Sequence, residues 1–172
     1  LERRVDTLSA LRIILLNLFL SALAIMVATS AFLIDRYLPF ALPGNLTFIA
    51  WPFMLIGGGL IIWAAITLAR QSGSTGAPFD PTRRLVSTGP YTWMRNPIYA
   101  GDVLLIFGLA FLTRSPSMLL YTVLFALAID AFVRRVEEPR TERRLGEVYR
   151  HYVETVPRWI PRIQFDGREE SA

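Results

Sequence analysis

Two long apolar runs decide most of what this chain can become. Residues 11–34 (LRIILLNLFLSALAIMVATSAFLI) and 46–69 (LTFIAWPFMLIGGGLIIWAAITLA) each supply the roughly 20 apolar residues that a helix needs to cross a bilayer, and the second carries no charge. In hydrocarbon every backbone polar group must be satisfied within the segment, so such runs fold as helices. Hydrophobic residues make up 53% of the chain and mean hydropathy is +0.40, which places it in a membrane rather than in a soluble domain. Residues 98–113 and 116–133 are shorter apolar runs separated by Arg114 and Ser115, the pattern of a tight helical hairpin. At about 1.5 Å per residue the shorter one covers roughly 24 Å of a ~30 Å hydrocarbon core, so it stands nearly upright or begins earlier. The expectation is an all-α polytopic membrane protein with about four transmembrane helices, a C-terminal helical hairpin and an interfacial amphipathic helix. It forms a single domain over 1–172, with scaffold spans in 11–69 and a functional core in 83–161.

Charge orients these helices. All 18 basic residues are arginines, and they are unevenly placed. Arg3, Arg4 and Arg12 flank the first run, Arg70, Arg83, Arg84 and Arg95 fall in the segment 70–97, and Arg134 opens an arginine-rich tail. The turns 35–45 and 114–115 hold just Arg36 and Arg114. The positive-inside rule then puts both termini, the 70–97 segment and the tail on the cytoplasmic side of the inner (plasma) membrane. Nucleic acid is excluded as a partner, because no basic stripe is interleaved with exposed aromatics; membrane lipids are the expected anionic surface. With no cysteine, disulfides and thiolate sites are excluded, and the single histidine, His151, cannot build a metal site of ordinary ligand number. The chain starts at Leu1, which predicts a trimmed N-terminus.

The segments on that shared side are distinctive. Residues 70–97 are rich in glycine, proline, serine and threonine, as in a non-helical connection, yet Tyr91, Trp93 and Tyr99 gather around Arg95 and argue for order. Pro139 predicts that the fourth span ends or kinks at Glu137 and Glu138. Beyond it Leu145, Val148, Tyr149 and Tyr152 recur on one helical face opposite Arg140, Arg143, Arg144 and Arg150, the pattern of a helix lying on the inner leaflet. Gly57, Gly58 and Gly59 read as a site of close helix packing. Asp102 and Asp130 are ionisable groups inside apparent spans, where charge is costly. Residues Asp166 to Ala172 read as a disordered end.

The blocks RRLVSTGPYTWMRNPIYAG (83–101) and RRVEEPRTERRLGEVYRHYVETVPRWIP (134–161), set around an apolar hairpin, resemble the isoprenylcysteine carboxyl methyltransferase and phospholipid methyltransferase membrane superfamily. Gly89-Pro90-Tyr91, Arg95, Pro97, Tyr99, Gly101, Glu137-Glu138, Gly146, Tyr149, Tyr152 and Val156-Pro157 match that pattern. Asn96 stands where the family usually has histidine, and Leu145 where phenylalanine is common.

The resemblance implies an enzyme that uses S-adenosyl-L-methionine as cofactor, bound by Arg83, Arg84, Leu85, Val86, Tyr91, Arg95, Asn96, Pro97, Ile98, Tyr99 and Glu137. The cofactor's ammonium needs an acid and its carboxylate needs donors; Glu137 and Arg95 or Asn96 are of the right type. Asn96 can donate a hydrogen bond but cannot carry a proton. No G-x-G-x-x-G follows a strand, so a dinucleotide-type methyltransferase domain is excluded. For the chemistry, Arg134 is the candidate to orient a carboxylate acceptor, and Glu138 the candidate base for an amine. The first expectation is a lipophilic acceptor such as an isoprenylcysteine carboxylate. The alternatives are a phospholipid (ethanolamine-type) N-methyltransferase or a catalytically degenerate scaffold of the same fold, for which Asn96 is the argument.

Overall fold

The computed structural model describes residues 26–71 and 85–161. Arg83, Arg84, the beginning of the first apolar run and the 166–172 end lie outside the described residues. Among those described the chain is helical, without strands. Helix α1 covers Met26–Asp35, and a 3-10 turn, Gly44–Ile49, leads into α2, Ala50–Gln71. A second 3-10 turn, Gly89–Thr92, precedes the hairpin of α3, Pro97–Leu112, and α4, Pro116–Phe132. A π turn over Val133–Glu137 joins α4 to α5, Glu138–Leu145, and α6 is Glu147–Thr155.

Two continuous helical stretches, Gly44–Gln71 and Pro116–Leu145, are long and apolar enough to cross a membrane, whereas α1 and α3 are shorter apolar helices. In the two long stretches just 17% and 22% of the most apolar window is buried in the protein, which distinguishes them from the core helices of a soluble domain. Trp51, Leu55, Ile56 and Ile62 of α2 and Leu120, Val123, Leu124 and Leu127 of α4 all face outward. Continuous apolar faces of this size need a lipid or protein cover, and the molecule is accordingly a membrane-associated one.

Helix α3 packs against both α2 and α4. Its approach to α2 depends on glycines: a Cβ on Gly57 would lie 2.7 Å from Gly101 O, and one on Gly108 would lie 2.9 Å from Ala50 O. Small residues let backbones meet at this distance. Within the Gly57-Gly58-Gly59 run, then, Gly57 serves close packing as expected, whereas Gly59 faces open space. Helix α1 packs on the α3–α4 hairpin through Ala31, Ala110 and Met118, with a hydrogen bond of 3.0 Å between Ser30 Oγ and Tyr121 OH.

The hairpin turn and the 35–45 loop meet at one end of the bundle, as the arginine distribution implied. Arg114, in the left-handed region at φ 56°, donates from Nε to Leu42 O at 2.9 Å. Ser115 Oγ caps α4 by accepting the Met118 amide, and Asp35 accepts the Ser117 amide. The opposite end holds the 85–96 segment and the tail.

Two expectations about the tail change. The helix is distorted where an end or kink was expected, by the π turn just before Glu138, but it does not end there: it continues to Leu145, and the Glu138 amide reaches back to Val133 O. Proline leaves one carbonyl without its usual donor, and here the ladder has already shifted register. The apolar face of the last helices is also not a bare inner-leaflet surface. The chain breaks at Gly146 (φ 60°), and Tyr149, Tyr152 and Val156 are buried with Leu85, Leu145 and Val153, while Val148 stays exposed.

Candidate functional site

The site is built where the 85–96 segment meets the π turn and the tail. Gly89 opens it at φ 58°, where a Cβ would lie 3.1 Å from Thr67 Oγ1 and 3.3 Å from Trp63 Nε1; positive φ and close approach both require glycine. Pro90 is fully buried and Tyr91 nearly so, packing with Val86, Ala64, Leu68 and Ile98. Trp93 meets Trp63 edge-on at 5.0 Å. Pro97, also fully buried, occupies the first turn of α3, where its missing N–H costs nothing.

Polar groups converge beneath this shell. Arg95 Nη1 donates to Glu138 Oε1 at 2.7 Å. Arg158 completes the clamp with Nε on Oε1 at 2.8 Å and Nη2 on Oε2 at 2.7 Å. The side chains of Arg95 and Glu138 are 9% and 17% exposed, so this is a buried, charge-assisted network rather than a surface pair. Glu138 raises the pKa of the Arg158 guanidinium through its hydrogen bonds and charge. Glu137 points to a different partner, accepting the Tyr99 hydroxyl at 3.0 Å. Arg95 Nε is buried and makes no hydrogen bond, which leaves one donor of a buried cation unsatisfied at a cost of about 1–3 kcal/mol unless a ligand takes it.

Three tyrosines register the field of this cluster. Tyr91 is pushed up to about 12 by burial and then by the Glu137 charge. Tyr149 is raised by burial and by Glu138, with the nearby Arg95 guanidinium opposing. Tyr152 is raised chiefly by burial and donates to Tyr91 O at 2.7 Å, tying α6 to the loop.

The tail then crosses over as a strap. The Arg95 amide donates to Pro157 O at 2.9 Å, Asn96 Nδ2 donates to Arg158 O at 3.3 Å, and Trp159 Nε1 donates to Asp130 Oδ1 at 2.7 Å. Beside the strap, a cavity of about 890 Å³ opens between α2 and α4 over α3, apolar except for Asp130, Arg134 and Trp159 at one end.

The fold thus brings Tyr91, Arg95, Asn96, Tyr99, Glu137 and Glu138 into one region. Leu85 belongs to the Tyr149 cluster, and Val86, Pro97 and Ile98 are packing residues of the shell. Arg134 stands apart, exposed, at the cavity end, where its Nε bonds Asp130 Oδ2 at 2.7 Å. Sequence reasoning missed Arg158 and Trp159; the signal was their position directly after the Val156-Pro157 match. Among the described residues no group of three or more His, Asp or Glu side chains could hold a metal.

A family model for phospholipid methyltransferase matches residues 46–148, a range that includes the Arg95–Glu138 pair and Glu137 and ends before the strap. Phosphatidylethanolamine N-methyltransferase of Yarrowia lipolytica is 30% identical over 110 residues, covering 59% of this chain and 12% of that protein. This chain therefore corresponds to a small part of that relative. No solved structure matches.

Proposed function

The chain belongs to the phospholipid methyltransferase family, and from that premise we propose that it transfers a methyl group from S-adenosylmethionine to the amine of a membrane phospholipid. The family match favours the amine acceptor over the isoprenylcysteine carboxylate that stood first in the sequence reading. We further propose four spans, α1 to α4, with the strapped end in the cytoplasm, as the arginine distribution indicates.

The observation that carries the reading is that Glu137, bonded to Tyr99, directly precedes the partner of Arg95, whose buried Nε is unsatisfied. A half-buried acid and an open buried donor suit the ammonium and the carboxylate of the cofactor's methionine end. Tyr91 and Tyr99 border them as aromatic surfaces, and Asn96, tied to Arg158 O, orders the strap. The family match supports an active enzyme over a degenerate scaffold. When bound, S-adenosylmethionine supplies an electrophilic methyl. This chain's residues hold the donor, align the acceptor and exclude water, the terms that dominate a direct displacement. Glu138 has both oxygens engaged by guanidiniums and so makes a poor proton acceptor; we assign it a positioning role in place of the base role read from sequence. The headgroup ammonium releases its proton to solvent before the neutral amine takes the methyl and the demethylated thioether leaves.

Calorimetric titration of the detergent-purified protein with S-adenosylmethionine tests this reading. Saturable binding that weakens about tenfold or more in Glu137→Ala, the loss expected for a charge-assisted contact, is the expected result. No binding to folded wild-type protein would leave the degenerate-scaffold reading in front.

A further inference from the structure

The apolar cavity is separate from the Glu137 region, and the cofactor reading does not use it. Its walls are α2 and α4, its floor is Ala100, Val103 and Leu104 of α3, and Trp159 of the strap lies at its polar end. Leu55, Ile56 and Leu127 line it and are also 73%, 61% and 64% exposed, so it opens sideways onto the lipid-facing surface rather than to water. Its volume of about 890 Å³ lies within the roughly 300–1,000 Å³ of small-ligand sites. Room is left by small residues: Gly59 and Ala126 line it, and a Cβ on Gly59 would meet nothing within 4 Å.

The polar end has a particular charge pattern. Asp130 accepts from Arg134 on one oxygen and from Trp159 on the other, and a carboxylate can accept more than one donor on each oxygen. Arg134 uses Nε for that pair, and its side chain is 56% exposed. A carboxylate with acceptor capacity beside a guanidinium with an exposed edge complements a zwitterion. Arg134 suits a phosphate and Asp130 an ammonium. Trp159, which bonds Asp130, directly follows Arg158, which bonds Glu138, so the strap links this end of the groove to the clamp.

We propose that this groove seats the lipid acceptor: one acyl chain lies over Ala100, Val103 and Leu104, and Asp130 and Arg134 bind the ammonium and phosphate of its headgroup. The assignment rests on the aminophospholipid reading and adds its binding site and specificity residues. Asp130 and Arg134 then act by binding the acceptor, and Trp159 is a positioning residue that aims the Asp130 carboxylate.

The test uses the full chain in nanodiscs with a phosphatidylethanolamine that carries a photoreactive diazirine on one acyl chain. Adducts on Val103 and Leu104, out-competed by unlabelled phosphatidylethanolamine better than by phosphatidylglycerol, are expected. Adducts on the outward Ile62 and Val123 should show no such preference. In Gly59→Leu, whose side chain would enter the groove, labelling of the floor should fall about fivefold or more. In Asp130→Asn the preference for the amine lipid should shrink about tenfold, the scale of one charge-assisted contact. Floor labelling that is absent, indifferent to headgroup, or replaced by adducts on residues 1–25 overturns the proposal. The wild-type adduct map stands even where a variant fails to fold. Cofactor titration of the same samples separates the two readings: groove labelling with no cofactor binding overturns the methyltransferase, and cofactor binding without groove labelling overturns the seat.

Discussion

Glu137 and Glu138 are neighbours in sequence with different surroundings, and their substitution should give different results. Glu138 bridges Arg95 and Arg158 in a largely buried network. Its replacement by alanine leaves two guanidiniums without their acid, which costs about 3–5 kcal/mol for a buried pair; a large drop in thermal midpoint is expected. Glu137→Gln keeps an acceptor for Tyr99 and should leave the midpoint nearly unchanged while cofactor affinity falls. Equal loss of stability in both variants would contradict this division. The raised tyrosines supply a pH test. Tyr91 has a folded pKa of about 12 against 10.0 for its ordinary value, so the folded state favours its neutral form. That stability is fully present below about pH 10 and is lost as pH rises through about 12. Spectrophotometric titration should show a late class of phenolates that appears together with loss of the fold. The acidic pair and the aromatics around Arg95 were singled out through the family resemblance of the 83–101 and 134–161 blocks, and the fold brings them together. Arg158 was missed because its position directly after Val156-Pro157 gives it no role until the chain turns back over Asn96.

Glycines carry the element-scale account. An alanine at Gly101 would put its Cβ 2.7 Å from Gly57 O, a backbone atom that cannot step aside, and should cost about 1–3 kcal/mol as overpacking does. Alanine at Gly59 should cost little, because the space there is open. Gly146 differs again: a Cβ there meets nothing within 4 Å, so Gly146→Ala tests backbone strain alone, about 1–3 kcal/mol at φ 60° and ψ −135°. Thermal unfolding of the three variants in one detergent checks the ordering, with Gly59→Ala the most stable. The α3–α4 hairpin and the close helix packing were readable because apolar length and small residues act locally. The passage of the helix through Pro139 was not, because a π turn costs and gains through ladder hydrogen bonds that no residue type announces.

At the scale of the whole molecule, the fold separates two ends. One holds the Arg114 turn and the 35–45 loop, the other the Arg95–Glu138–Arg158 clamp and the strap. Because the sequence contains no cysteine, single-cysteine variants report each end cleanly. Cysteine at exposed Thr155 should react with an impermeant maleimide from the cytoplasmic side, and cysteine at exposed Tyr37 from the other; labelling of both from one side would contradict the four-span arrangement. Helical class was inferable from apolar length, whereas the orientation read from arginine placement is what this labelling tests. The groove was not, because it exists only once α2 and α4 flank the small-residue face of α3. The central claim is methyl transfer to a lipid amine, and the most direct test is to reconstitute the protein in phosphatidylethanolamine vesicles with radiolabelled S-adenosylmethionine, beside vesicles doped with a prenylated cysteine. Label in the methylated amine lipid, lost in Glu137→Ala, is the expected result; label in the prenylcysteine ester alone, or in neither acceptor despite cofactor binding, would contradict it.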